Sequence, residues 1–247
     1  MINKILHMLR AVVDKFPFAA KLFRDYRDAR DLNKMPQMST MGFKFIGNNA
    51  MWLGQFEPEE TDLVKSLIPK IDAFINVGAN IGYYCCLVRS AEIATFAFEP
   101  MPLNLQYLMT NIIANEWKNG VEIFPMALAA KPGIVKMYGG GTGASLLKGW
   151  ANATNHYSTL VPSNTLEAVL GDRLIGKRCL ILIDIEGAEL GCLQGAMNFI
   201  NQSPKPLWLV EICVDEHQPV GTKINPALLE TFELFWNAGY VANTVSK

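Results

Sequence analysis

Five apolar runs of strand length alternate with segments of helical periodicity along most of the chain. The runs lie at 73–78, 93–98, 121–128, 179–184 and 207–212. Between them, apolar side chains recur three and four residues apart, as in the helix predicted around Leu105, Leu108 and Ile112. Strands that alternate with helices in this way predict an α/β fold, in which a mostly parallel central sheet with right-handed crossovers has helices on both faces.

The last third of the chain predicts two irregular segments and a sixth strand. Residues 139–145 include four glycines and are typical of a loop or a hairpin tip. Residues 146–164 are polar and mixed, and we interpret them as an insertion near the functional site. A final helix stops at Gly239, and residues 240–245 are expected to form a last short strand, with too few residues after it for a complete antiparallel hairpin. The sheet should therefore have six strands, or end in an exposed edge.

The N-terminal segment has a pattern of its own. Its first 24 residues interleave apolar and charged side chains, which interrupts any signal-peptide core. We expect an amphipathic helix that packs on the domain, pairs with a partner or makes peripheral contact with a membrane surface. No apolar stretch reaches the roughly 18–20 residues that span a bilayer, so no transmembrane segment is predicted. The expected organisation is an N-terminal helical extension over residues 1–45 and one domain over residues 46–247.

Composition narrows the class of protein. Hydrophobic residues make up 50% of the chain and charged residues 18%, which is typical of a globular domain with a full core. With a net charge of −1, the chain lacks the excess of positive charge that is typical of proteins that bind nucleic acid. The five cysteines have no metal-ligand spacing, which indicates reduced thiols in a cytoplasmic protein. None of these features predicts the oligomeric state.

The first apolar run leads directly into a glycine turn and a helix. Gly78 has no Cβ and lets the backbone approach a ligand, while Gly82 is expected to let the following helix pack close to the strand. Amide groups at the start of that helix point at whatever occupies the turn. The next run ends at Glu99, whose carboxylate can accept hydrogen bonds from both hydroxyls of a ribose. Together these features predict a site for a nucleoside cofactor.

Spacing and charge indicate which cofactor. The two glycines are four residues apart, and the middle glycine of the dinucleotide pattern G-x-G-x-x-G is absent. Since ligands of open parallel sheets bind beyond the carboxyl ends of the strands, the acidic residues that follow the runs should converge there, namely Glu99, Asp184, Glu186 and Glu211. Two unit charges 4 Å apart interact by about 4 kcal/mol at an effective dielectric constant of 20. Such a crevice would repel a pyrophosphate and attract a sulfonium and an ammonium, which points to S-adenosylmethionine.

Seven short motifs resemble those of the FkbM-type methyltransferases, in order and spacing, over roughly residues 45–245. They are Asn76–Gly82, Phe98–Pro100 with Asn104, Ala127–Leu128, Gly143–Leu146, Thr165–Glu167, Ile183–Glu189 and Val210–Ile212. The resemblance implies a Rossmann-like class I methyltransferase fold and methyl transfer from S-adenosylmethionine. It further implies a small-molecule or glycan acceptor whose hydroxyl is methylated, namely a sugar, a polysaccharide or a polyketide-type product.

The resemblance also implies a set of cofactor-binding residues. They are Asn76, Gly78, Ala79, Asn80, Gly82, Glu99, Asn104, Ala127 and Asp184. The family usually has Asp where this chain has Asn76. The amide of Asn76 can still form hydrogen bonds, but it brings no charge to the ammonium group of the cofactor.

Methyl transfer to a hydroxyl calls for a base near the hydroxyl proton. The candidate catalytic residues follow the last two long strands and are Asp184, Glu186, Glu211 and His217. Asp184 and Glu186 are two residues apart on a predicted strand, so both side chains should leave the same face. The alternatives are a structural ion pair for these carboxylates and a simple loop position for His217. No spacing of His or Cys supports a metal site.

Two other functions stay open at this point. A non-catalytic nucleoside-cofactor-binding module would keep the fold without using the cofactor, and Asn76 together with the short C-terminus favours it. An NAD-linked oxidoreductase would need a glycine near position 80 and fewer acidic residues in the crevice. A binding titration with S-adenosylmethionine and NAD separates the three functions.

Overall fold

The structure, a computed structural model, describes residues 35–152 and 158–245. The strands are β1 (Gln37–Met38), β2 (Lys44–Phe45), β3 (Ala73–Val77), β4 (Ala94–Phe98), β5 (Val121–Phe124), β6 (Ala127–Leu128), β7 (Gly133–Tyr138), β8 (Ser158–Asn164), β9 (Cys179–Ile183) and β10 (Leu207–Val210). The α-helices are α1 (Asn49–Trp52), α2 (Pro58–Leu67), α3 (Tyr83–Arg89), α4 (Pro102–Ala114), α5 (Leu166–Leu170), α6 (Glu189–Gln194), α7 (Met197–Asn201) and α8 (Leu228–Asn237). The described residues from Pro36 onward belong to one compact unit.

The central sheet has five parallel strands in the order β10-β9-β3-β4-β5. Every residue of β3 and β9 is buried, because helices cover the sheet on both faces. One face packs against α2, α3 and α4, and the other packs against α5, α6, α7 and α8. The parallel α/β architecture predicted from the apolar runs is confirmed.

The run at 121–128 does not form one strand, contrary to the prediction. Its first half is β5 of the central sheet, and its second half is β6, which belongs to a separate three-stranded sheet with β7 and β8. Pro125 stands between the halves and has no N–H for a continued ladder, so the chain leaves the sheet there. The segment at 146–164 is only partly an insertion, because its end is strand β8, paired antiparallel with β7.

The sixth strand expected at 240–245 is absent from the described structure, and the central sheet has five strands. The amide of Tyr240 donates to the carbonyl of Phe235 at the end of α8, and its hydroxyl donates to the carbonyl of Ile200. These bonds tie the chain to the helical layer instead of the edge of β10. The helical segment between β9 and β10 is divided into α6 and α7 at Gly195, where a Cβ would overlap the carbonyl oxygen of Ala129.

The predicted N-terminal extension is described only in its last part. Residues 1–34, with the amphipathic helix and its possible membrane contact, lie outside the described residues, and the boundary at residue 45 stays a prediction. Among the strands that the structure describes, β1 and β2 pair only with each other, and Phe43 and Phe45 are buried in the core with residues of α3 and α4. Among the described residues, no helix has both the length and the apolar character needed to cross a bilayer.

Candidate functional site

A narrow crevice opens beyond the carboxyl ends of β3, β4 and β9. It is lined by Gly78, Asn80, Phe98, Glu99, Met101, Asn104, Met126, Ala127, Gly141, Asp184, Ile185 and Glu186, among others. Six of the residues predicted to bind the cofactor therefore lie at one place, although they come from four separate parts of the chain. The space measures about 50 Å³, and the crevice opens to solvent.

Gly78 forms the floor of the crevice, and the backbone packs so closely there that only glycine fits. Its φ is +81°, and a Cβ at this position would overlap the backbone carbonyl oxygen of Asp184. The amides of Gly78 and Ala79 both donate to the carbonyl of Phe98, at 3.0 and 2.9 Å. The turn after β3 is thus fixed against the ends of both neighbouring strands.

The other three residues predicted to bind the cofactor lie behind the crevice. Gly82 has a φ of +91°, and a Cβ there would meet Leu108 of α4 at 2.5 Å. Its small size lets α4 approach the start of α3, and the predicted effect of Gly82 on the packing of α3 against the strand stays a prediction. Ala79 is buried, as is Asn76, whose amide donates to Cys85 Sγ at 3.5 Å on the side of α3.

Glu99 is buried, with 3% of its surface exposed, and its carboxylate is held by three donors. The amide of Asn80 donates to Oε2 at 2.7 Å, and the amide of Met101 donates to Oε1 at 2.8 Å. The side-chain amide of Asn104 also donates to Oε1, at 3.2 Å. Burial raises the pKa of Glu99, and the three hydrogen bonds oppose that rise. The result is a rigid carboxylate on the wall of the crevice.

The glycine-rich segment forms part of the wall of the crevice. The carbonyl of Gly141 accepts a hydrogen bond of 3.2 Å from the same Asn104 side chain that contacts Glu99. Gly141 has a φ of +64° and open space where a Cβ would stand. Gly141 and Asn104 therefore form the part of the wall next to Glu99.

Asp184 follows β9 and lies between the crevice and a second cavity of about 270 Å³. The second cavity is lined by Glu57, Glu60, Tyr84, Leu182, Ile183, Asp184, Leu209, Val210, Glu211 and Val245. Burial raises the pKa of Asp184 well above its usual range, and the charges of Glu211 and Glu186 raise it further. The predicted convergence of acidic residues thus extends over two adjoining spaces.

Glu57, at the start of α2, adds a carboxylate to the second cavity. Its Oε2 accepts a hydrogen bond of 2.7 Å from the hydroxyl of Tyr84. Burial raises the pKa of Glu57, and the charge of Glu211 raises it further. Burial also raises the pKa of Glu211, with the charge of Glu186 as the next cause. The crowding of these groups favours protonated carboxyls or a cation between them.

Glu186 lies in the crevice, but for a different reason than the sequence predicted. Strand β9 ends at Ile183, and Glu186 has a φ of +58°, so the alternation of side chains along a strand does not apply. Its Oε2 accepts a hydrogen bond of 2.7 Å from Trp150 Nε1. Its carbonyl accepts one of 2.5 Å from the hydroxyl of Ser145.

His217, the fourth candidate base, lies outside the residues that line the two spaces. It is exposed and has a φ of +62°, and its ring centroid is 6.1 Å from that of Trp150. The pKa of Glu211 stays raised, chiefly by burial, beside this histidine.

Sequence reasoning missed Glu57, Tyr84 and Trp150, and it included Ser145 in a motif without giving it a role. Glu57 precedes the glycine turn and Tyr84 follows it, and neither residue belongs to a recognisable motif. Only the folded chain brings their side chains close to β10. Trp150 is a large aromatic residue in a polar stretch, and it is fully buried. A single large aromatic residue within a polar segment was the one feature of the sequence that could have indicated its role. Among the described residues, no group of three or more His, Cys, Asp or Glu side chains has the geometry to hold a metal ion.

The parallel sheet, the helices on both faces and the crevice beyond the strand ends define a Rossmann-like α/β protein. The family model described as "Methyltransferase FkbM domain" matches residues 76–242, which is more than half of the chain. The chain belongs to the FkbM methyltransferase family, as its motifs predict.

Comparison with individual proteins adds little beyond the family. No curated protein matches the chain. Among solved structures, the chain is similar to the methyltransferase FkbM from Methylobacillus flagellatus KT, with 12% identity and a TM-score of 0.45. The similarity covers 87% of this chain and 54% of that one, so the chain spans about half the length of that protein.

Proposed function

We propose that this protein is an S-adenosylmethionine-dependent O-methyltransferase that acts on a hydroxyl of a sugar, polysaccharide or polyketide-type product. The observation that carries the proposal is the joint position of Gly78, Glu99 and Asp184 around one crevice. Gly78 admits a ligand close to the backbone, Glu99 suits a ribose, and Asp184 suits a positive charge. A bound cation would favour the ionised forms of these carboxyls, whereas a pyrophosphate would be repelled by each of them that is ionised.

The residues present fit the cofactor. Besides the open turn at Gly78, the Oδ1 atom of Asn80 is buried at the crevice and has no hydrogen-bond partner among the described residues. The Oε2 atom of Glu99 accepts one protein hydrogen bond and keeps capacity for a second. Bound there, S-adenosylmethionine would supply an electrophilic methyl group on a sulfonium.

Asp184 and Glu211 are the groups best suited to take a proton from the acceptor. When the acceptor oxygen takes up the methyl group that the cofactor would supply, the carboxylate of Asp184 or Glu211 would take the hydroxyl proton. A raised pKa makes an ionised carboxylate a stronger base, and burial raises the pKa of both groups. The protein also has to align the hydroxyl with the methyl group, and that alignment contributes to the rate on its own.

The second cavity is the proposed place of the acceptor. It adjoins the crevice through Asp184 and presents the carboxylates of Glu57, Glu60 and Glu211 with the hydroxyl of Tyr84. Groups of this kind form hydrogen bonds with several hydroxyls at once, which suits a polyhydroxylated acceptor. We also propose a cytoplasmic location, supported by free cysteines of which four are buried.

Isothermal titration calorimetry with S-adenosylmethionine and NAD tests the proposal. We expect binding of the first and none of the second. The Glu99→Ala variant should lose about 1–3 kcal/mol of binding free energy with its charge-assisted hydrogen bonds. Glu233→Ala, an exposed carboxylate on α8, is the matched control and should bind as the unchanged protein does. Equal affinity in both variants removes the ribose assignment, and NAD binding would support an oxidoreductase.

A further inference from the structure

Trp150 makes a hydrogen bond that reaches the cofactor crevice from outside the predicted site. Its side chain is fully buried, and its Nε1 donates to Oε2 of Glu186 at 2.7 Å. Among the described residues, Oε2 is the only oxygen of this carboxylate that receives a hydrogen bond. The other oxygen, Oε1, stays available to a ligand in the crevice that Glu186 lines.

Two further contacts hold the same turn. Ser145 is fully buried; its hydroxyl donates to the carbonyl of Glu186, and its backbone pairs with Tyr138 at the end of β7. Gly187 has a φ of +95°, and a Cβ there would meet the indole ring of Trp150 at 2.5 Å. The ring therefore packs directly on the backbone of the turn that it also holds by hydrogen bond.

The tryptophan is itself supported from a second loop. The amide of Ala151 donates to the carbonyl of His217 at 2.8 Å, and Gly149 packs against Pro219. Glu186 needs this support because its φ of +58° is uncommon for a residue with a side chain and costs conformational energy. An indole N–H bonded to a carboxylate is also stronger than a bond between neutral groups.

We propose that Trp150 is a positioning residue, which holds one oxygen of Glu186 so that the other faces the cationic part of the bound cofactor. This inference rests on the proposed function. Removal of the indole N–H frees the carboxylate to rotate, and the affinity for S-adenosylmethionine falls although the fold persists.

A double-mutant cycle tests the role in binding. Trp150→Phe keeps an aromatic ring but loses the N–H, and Glu186→Ala removes its acceptor. Each variant should bind S-adenosylmethionine about tenfold more weakly, the range expected for one charge-assisted hydrogen bond. The double variant should be no weaker than Glu186→Ala alone. Independent losses that multiply in the double variant would overturn the inference, because Trp150 would then act without Glu186.

Trp208→Phe is the matched control, since it removes an indole N–H that donates to the hydroxyl of Tyr240 at 3.2 Å, away from the crevice. Its affinity should equal that of the unchanged protein. An equal loss in the Trp150 and Trp208 variants would mean a general loss of packing and would also overturn the inference.

A measurement without cofactor separates failure of this inference from failure of the proposed function. The five tryptophans give five indole N–H signals in a nitrogen–proton NMR spectrum, and Trp150→Phe identifies one of them. In Glu186→Ala that signal should move more than the signal of Trp208 does. If it does not move, the hydrogen bond is absent and the inference fails, whether or not S-adenosylmethionine binds. If Trp150→Phe does not fold, the same spectrum of Glu186→Ala, assigned from the other tryptophan variants, still decides.

Discussion

The backbone carbonyl oxygen of Asp184 occupies the space that a Cβ atom on Gly78 would need. The amide of Asp184 also donates to the carbonyl of Val77 at 3.0 Å, which continues the ladder between β9 and β3 up to the glycine. The glycine turn and the acidic turn are thus one packed unit. A change in either one alters the shape of the crevice.

Gly78→Ala is expected to destabilise this unit by two separate effects. The left-handed φ of +81° costs an alanine about 1–2 kcal/mol, and the overlap with Asp184 adds to that cost. Gly176→Ala is the matched control, because its φ is +76° and no atom lies within 4 Å of its Cβ position. Urea denaturation should give a larger loss of unfolding free energy for Gly78→Ala than for Gly176→Ala. Equal losses would show that the close approach of Gly78 to Asp184 does not add to the destabilisation.

The central strands β3 and β9 were predictable because burial on both faces requires apolar residues. Leu180 to Ile183 in β9 and Phe74 and Ile75 in β3 have almost no exposed surface. Glu99 and Asp184 were predictable for a related reason, since polar residues that directly follow such strands lie at the carboxyl edge of the sheet.

The parts that the sequence did not predict depend on contacts between distant residues. Strand β8 has a polar sequence, and only Val161 and Ser163 of it are buried, so no apolar run marks it. Trp150 and Glu186 are 36 residues apart. Glu186 has a left-handed backbone conformation, as do Gly149 and Ala151 on either side of Trp150, and no periodicity of the sequence encodes such conformations. The second cavity likewise combines Glu57 with Glu211, which only the packing of α2 against the sheet brings together.

Asp184 should make the folded state less stable as the pH rises. Its pKa is raised in the folded protein, mainly by burial, so the folded state binds its proton more tightly than the unfolded state. Stability from this proton is complete below the unfolded pKa of about 3.9 and is lost as the pH rises through the raised folded value. Thermal unfolding between pH 5 and pH 9 should show a flatter decline for Asp184→Asn than for the unchanged protein. Asp215→Asn, an exposed carboxyl, is the control and should follow the unchanged protein.

Binding of a cationic cofactor should release protons from the same group. A positive charge near Asp184 favours its ionised form, so the raised pKa falls and a proton leaves on binding. Calorimetric titrations at neutral pH should therefore give different heats in phosphate and in Tris, which take up protons with different enthalpies. Asp184→Asn should reduce this difference. Equal heats in both buffers would show that Asp184 does not sense the charge of the ligand.

The last prediction concerns the base and requires an identified acceptor. Alanine variants of Asp184, Glu186, Glu211 and His217 should be compared for turnover and for cofactor affinity. General base catalysis contributes about 10²–10⁴-fold, so loss of the base should reduce turnover by more than it reduces affinity. We expect this pattern for Asp184 or Glu211, which line the second cavity, and the smallest effect for His217, which lies outside both spaces.

The conservative variants Asp184→Asn and Glu211→Gln distinguish proton transfer from shape. Each keeps the size of the side chain and loses the ability to accept a proton from the hydroxyl, so its turnover should fall about as far as that of the alanine variant. In the unchanged protein the turnover rate should fall as the pH decreases, because a protonated carboxyl cannot accept the proton. This pH dependence should disappear when the base is replaced. If all four alanine variants keep full turnover, the protein does not remove the proton, and the alignment of hydroxyl and methyl group must account for the rate.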